Sequence, residues 1–81
     1  MALPAISGNK LIKLLKKDGW VEKRRATHGA SLAKQFGDRF RVTVVPTKNS
    51  SLPNGTLADI LRSKQTGLGR AGLLDLIKKF G

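Results

Sequence analysis

The chain has 81 residues and a formal net charge of +11 at pH 7, from 16 Lys and Arg against five Asp and Glu. That length leaves room for a single domain, expected over residues 1–81, with a small two-layer core and no second domain. The 40% apolar content argues against wholesale disorder, and the lack of cysteine excludes disulfides, thiolate metal sites and cysteine nucleophiles.

Ser7 has the character of an N-cap, with Ile6 before it and Leu11 four positions after it, the pairing of a hydrophobic staple. A first helix is expected from there. Leu11, Ile12, Leu14 and Leu15 form its buried stripe, Lys10, Lys13 and Lys17 fall on another face, and Gly19 can take the left-handed position that ends it. Residues 20–28 read as a strand by Trp20, Val21 and Thr27, although the charged run Glu22-Lys23-Arg24-Arg25 requires one side to face solvent or a ligand. Trp20 reads as core, anchoring the helix on the sheet, with stacking on a base as the alternative.

Residues 30–36 continue as a second strand, and Gly37-Asp38 signals a tight turn. In the third strand, residues 39–45, Phe40, Val42 and Val44 alternate with Arg41 and Thr43. Phe36 and Phe40, on either side of the turn, read as packing residues. Pro46 stops the strand, and residues 47–55 form a polar loop with an Asn54-Gly55 turn. Thr56-Leu57-Ala58-Asp59 resembles a capping box that starts a second helix at Thr56. A glycine-punctuated, flexible joint then leads to a helix over about residues 70–80, with Leu73, Leu74, Ile77 and Phe80 as its apolar side. The order helix, three antiparallel strands, helix and short C-terminal helix gives an α+β fold with helices on one face of a sheet.

The excess of positive charge attracts polyanions, and phosphate backbones are the favoured target because each neutralised phosphate releases a condensed counterion. Anionic membrane is disfavoured. No run approaches the length of a bilayer span, and Met1-Ala2-Leu3-Pro4-Ala5 lacks a basic n-region and a long apolar h-region, so a cytoplasmic protein is expected. The carboxylates Asp18, Glu22, Asp38, Asp59 and Asp75 are scattered singly, with no grouping that offers clustered hard ligands, and no cofactor is expected. Gly67-Leu68-Gly69-Arg70-Ala71-Gly72 matches G-x-G-x-x-G formally but follows a helix rather than a strand, so a dinucleotide site is rejected.

His28 is the one histidine, and its imidazole can exchange a proton near neutrality. A lone histidine is more often an ordinary strand-end residue, but Lys23, Arg24 and Arg25 precede this one, with Thr27 and Gly29 at its sides. RNA cleavage needs no metal in principle. The ribose 2′-hydroxyl is an internal nucleophile, an imidazole can act as general base or acid, and cations can stabilise the phosphorane-like transition state.

Residues 7–61 resemble the HicA toxin family. The matching pieces are Leu11-Ile12-Lys13-Leu14-Leu15-Lys16-Lys17-Asp18-Gly19-Trp20-Val21, a histidine some ten residues on, Val42-Thr43-Val44-Val45-Pro46, and Leu52-Pro53-Asn54-Gly55-Thr56-Leu57 leading into Ile60-Leu61. The resemblance implies a double-stranded-RNA-binding-domain-like α-β-β-β-α fold. It also implies an mRNA-cleaving toxin that is held inactive by a HicB-like antitoxin, with His28 as the catalytic histidine. Where members commonly read Gly-Ser-His, this chain has Ala26-Thr27-His28-Gly29: Thr27 keeps the hydroxyl and the glycine follows the histidine. The expected function is therefore a metal-independent endoribonuclease toxin. Lys10, Lys13, Lys17, Lys23, Arg24, Arg25 and Lys48 are its candidate RNA contacts. A structured-RNA-binding module without cleavage is the alternative, and a basic accessory protein of ribosome or DNA is a third reading.

Overall fold

In the computed structural model, which describes residues 3–27, 29–62 and 65–80, the Ser7 hydroxyl accepts a hydrogen bond from the Lys10 amide at 3.1 Å and so caps the first helix, α1 (Gly8–Lys17). Ile6 and Leu11 are both buried, as a staple requires. At the other end Gly19 has φ +102°. The Trp20 amide reaches back to the Leu15 carbonyl at 3.0 Å and the Gly19 amide to that of Lys16 at 3.1 Å, the two bonds of a Schellman motif. This left-handed turn sends the chain straight into the sheet and seats the Trp20 indole in the core. Trp20 stacks edge-on against Phe36, with ring centroids 6.1 Å apart.

Strands β1 (Val21–Ala26), β2 (Gly29–Phe36) and β3 (Arg39–Val45) form an antiparallel meander in the order β1-β2-β3, with a bulge between Glu22 and Arg24. Two further helices follow, α2 (Asn54–Leu61) and α3 (Gly69–Phe80), so the α-β-β-β-α arrangement carries one extra helix at its end. Leu11, Ile12, Leu14 and Leu15 of α1, Ala30 and Leu32 of β2, Val45 of β3, Leu57, Ile60 and Leu61 of α2, and Leu73 and Leu76 of α3 join one core cluster. All three helices thus lie on one side of the sheet. Among the described residues no helix is long and apolar enough to cross a membrane.

Four details depart from the sequence reading. The second helix begins at Asn54, not Thr56, with Pro53 in the cap position and no side-chain cap; the Leu57 amide bonds the Pro53 carbonyl at 2.9 Å. The cause is upstream: the Leu52 amide bonds the Ile6 carbonyl at 2.8 Å and its side chain is buried, so the helix has to start at once to bring Leu57, Ile60 and Leu61 into the same core. Proline, with its fixed φ and no amide hydrogen, suits that entry. In α3 the buried pair is Leu73 and Leu76, with Ile77 and Phe80 partly buried, while Leu74 points outward.

The joint between α2 and α3 is tied down rather than loose. The buried Thr66 hydroxyl donates to the Ile60 carbonyl at 2.8 Å, and the Thr43 hydroxyl donates to Gln65 Oε1 at 2.7 Å. The fourth departure concerns β3. Phe40, which was expected to pack, is 66% exposed, and so are Val42 at 52% and Val44 at 55%, whereas Thr43 and Val45 face the helices. Register enforces this arrangement: Thr43 pairs with Leu32 and Val45 with Ala30, and these β2 residues already lie over the core.

Candidate nucleic-acid interface

One end of the sheet gathers segments that are far apart in the sequence. Ala26 pairs with Gly29 where β1 passes into β2, and Ala30 pairs with Val45 at the end of β3. A Cβ on Gly29 would lie 3.0 Å from a Val44 methyl and 3.1 Å from the Val45 carbonyl oxygen, so a side chain there would crowd the neighbouring strand. That close approach gives the glycine after position 28 a packing reason. Just beyond Val45, the Pro46 carbonyl presses on Gly8 so closely that any Cβ would clash, and the Asn9 amide bonds the Lys48 carbonyl at 3.0 Å. Asn9 and Asn49 also bond through their side chains. The β1–β2 connection, the end of β3, the Lys48 loop and the first turn of α1 with Lys10 are thereby held together.

Thr27 is exposed at this end. His28, the expected catalytic residue, lies outside the described residues. Of the candidate RNA contacts, Lys10 and Lys48 are exposed here, and Lys13 follows Lys10 along the exposed side of α1. Arg24 faces away from the helices beside Ser31, and Lys23 sits at the bulge next to it. None of these five cations has an ion pair among the described residues.

Two candidates are otherwise engaged. Lys17 stands at the far end of α1, where its Nζ donates to the Phe80 carbonyl at 3.4 Å. Arg25 is bound to Glu22 at 2.7 Å, and Lys16 approaches the same carboxylate at 3.4 Å. The Arg25 guanidinium hydrogen-bonded to Glu22 holds that carboxyl below the ordinary glutamate value, and Glu22 in turn raises Arg25. Glu22 therefore stays ionised near neutrality and competes with phosphate for Arg25. Sequence proximity to position 28 did not reveal this bond, although the Glu22-x-x-Arg25 spacing could have hinted at it.

Lys34 is similarly occupied. Its Nζ donates to the Asp18 carbonyl at 2.7 Å, where it neutralises the carbonyl end of α1, and lies 5.2 Å from the Phe36 ring centroid. Four of the five carboxylates pair with lysine or arginine, whereas Lys10, Lys13, Lys23, Arg24 and Lys48 have no carboxylate partner among the described residues. Among the described residues no three His, Cys, Asp or Glu side chains gather as a metal site.

A family model described as HicA toxin of bacterial toxin-antitoxin matches residues 8–68. The chain belongs to the HicA toxin family. No curated protein and no solved structure gives a significant match. The HicA match runs from the first residue of α1 to the turn before α3, so it takes in all three strands and the gathered end of the sheet. The third helix lies beyond the matched span and nonetheless supplies Leu73 and Leu76 to the core of this HicA chain.

Proposed function

We propose that this HicA family toxin binds mRNA at the gathered end of its sheet and cleaves it without a metal, His28 transferring the proton, until a HicB-like antitoxin covers the site. The observation that carries the reading is that exposed cations with no ion pair among the described residues lie toward the end of the sheet that flanks position 28. Lys10 and Lys48 come from elements far apart in sequence, and Arg24 approaches along β1. Such a cradle suits a polyanion whose own 2′-hydroxyl attacks the adjacent phosphorus. The imidazole takes up or delivers the proton, and the cations offset the charge that builds on the phosphoryl oxygens. Lys13 and Lys23 extend the track along the RNA backbone, and Arg25 joins it only by giving up Glu22. Acting on mRNA, the protein works in the cytoplasm.

The test is incubation of purified protein with mRNA in excess EDTA. The wild type is expected to yield fragments, and His28→Ala to yield none while still shifting RNA on a gel and unfolding at the same urea concentration. Fragments produced equally by His28→Ala would remove the histidine from the mechanism. A wild type that shifts RNA but never cuts it would leave a binding module.

A further inference from the structure

The chain has three phenylalanines and one tryptophan, and most of these rings are engaged in packing. Trp20 is buried, Phe36 meets it edge-on and also meets the cations of Lys34 and Arg41, and Phe80 packs against the core. Phe40 differs. Strand alternation turns it away from the helices, and it is the most exposed large apolar side chain among the described residues. Beside it on the open face lies a shallow concavity of about 470 Å³, lined by Gly19, Val21, Lys23, Ala33 and Gln35 as well as Phe40 itself. Gly19 and Ala33 are too small to fill the space next to the ring, so a flat group can lie against it.

We infer that this concavity is a nucleobase subsite, in which one unpaired base of a single-stranded RNA stacks on Phe40 while Lys23 and Arg24 hold the backbone. The inference rests on the proposed RNA binding and extends it to the end of the sheet away from position 28; it does not require cleavage. The bulge between Glu22 and Arg24 sets the cations in place. It breaks the alternation of β1, so that Lys23 lines the concavity while Arg24 lies beside Ser31, between the concavity and the β1–β2 connection. Neither has a carboxylate partner among the described residues, and no carboxylate lines the concavity; Lys34, the other cation there, is tied to Asp18. From Phe40 to Val45, β3 runs for roughly 17 Å at the rise of an antiparallel strand, a distance that a few nucleotides span.

The chemistry of the concavity selects its occupant. An exposed ring beside small side chains and unpaired cations suits a flat aromatic group on an anionic backbone, and stacking of this kind tolerates any base. Val21 and Val42 lie on either side of Ala33 and have no ring face, so the stack is limited to one base. Gln35, opposite Phe40, already donates its amide nitrogen to the Gly37 carbonyl at 2.9 Å and keeps an oxygen that can accept from the edge of that base. A duplex cannot use the subsite, because its bases are stacked on one another and face inward. A second copy of this chain would set these cations against themselves, on chains of +11 each.

The test measures the affinity of the full chain for an unstructured 2′-O-methyl RNA oligonucleotide, which lacks the internal nucleophile and so stays whole. Phe40→Ala should weaken binding about tenfold, and Phe40→Leu, which keeps apolar bulk without a ring face, should weaken it to a similar extent. Phe40→Trp should bind as tightly as wild type or more so. All three variants should unfold at the wild-type urea concentration and bind a duplex of the same sequence with wild-type affinity. Single-strand affinity within about threefold of wild type for Phe40→Ala would overturn the inference, since loss of a stacked base costs more than that. So would wild-type affinity in Phe40→Leu, or an equal loss on the duplex. Variants that keep RNA but lose self-association or an acidic protein would give the face to a protein instead. If the wild type cuts no RNA while the Phe40 series behaves as expected, the nuclease reading falls and the subsite stands; normal cutting with a flat series removes the subsite alone.

Discussion

The two faces of the three-stranded sheet are built by alternate residues of the same strands, yet they obey opposite rules. Toward the helices, β3 presents Thr43 and Val45, and β2 presents Ala30 and Leu32; toward solvent, β3 presents its run of Phe40, Val42 and Val44. The covered face accepts a polar side chain because Gln65 meets the Thr43 hydroxyl. The open face keeps large apolar side chains that contribute little to folding. A half-covered antiparallel sheet commonly places its apolar alternation inside. Here that alternation lies on the side away from the helices, because pairing with Leu32 and Ala30 turns Thr43 and Val45 toward the core instead.

Substitution on both faces provides the sharpest test of that contrast. Leu32→Ala or Leu73→Ala should cost about 2–5 kcal/mol, since both side chains are fully buried in the common core. Val42→Ala should cost less than about 1 kcal/mol. Urea unfolding measures all three, and equal losses at Leu32 and Val42 would mean that the open face is covered within the protein itself. Thr43→Val should cost about 1 kcal/mol in the same assay, because the isosteric methyl leaves Gln65 Oε1 without its donor. A gain in stability would show that the covered face tolerates the hydroxyl rather than using it.

The smallest effect on stability, and the most direct on the cationic edge, is expected at Glu22. Its carboxyl is held below the ordinary glutamate value, so its contribution is complete above that value and is lost as pH falls through the lowered native one. Glu22→Gln should therefore lower stability near pH 7 slightly, as befits an exposed ion pair, and remove one acid-dependent component, so that the difference from wild type shrinks as the pH falls. It should also release Arg25, tightening RNA binding and steepening its salt dependence by about 0.7 in the log–log slope for one added phosphate contact. An unchanged slope would mean that Arg25 does not reach RNA even when freed.

Local signals account for what could be read in advance. Ser7 and Gly19 mark the ends of the first helix because a cap and a left-handed turn are properties of a few adjacent residues, and the Gly37-Asp38 turn fixes the β2–β3 hairpin for the same reason. The start of α2 was misplaced because Thr56-x-x-Asp59 imitates a capping box, whereas the real start is imposed by the distant contact of Leu52 with Ile6. Arg24 and Arg25 look equivalent in sequence; the bulge after Glu22 and the strand pairing send Arg24 to the open face and leave Arg25 to the carboxylate.

Composition, periodicity and the family motifs alone determined the α-β-β-β-α order, the cationic character and the apolar stripe of α1. Alternation along a strand defines two faces but does not say which is buried; that depends on which residues of the neighbouring strand already lie over the helices. Only the register of Leu32 with Thr43 decided that Val42 and Val44 look outward, and only the packing of Pro46 against Gly8 brought Lys48 and Lys10 to the same end as the β1–β2 connection.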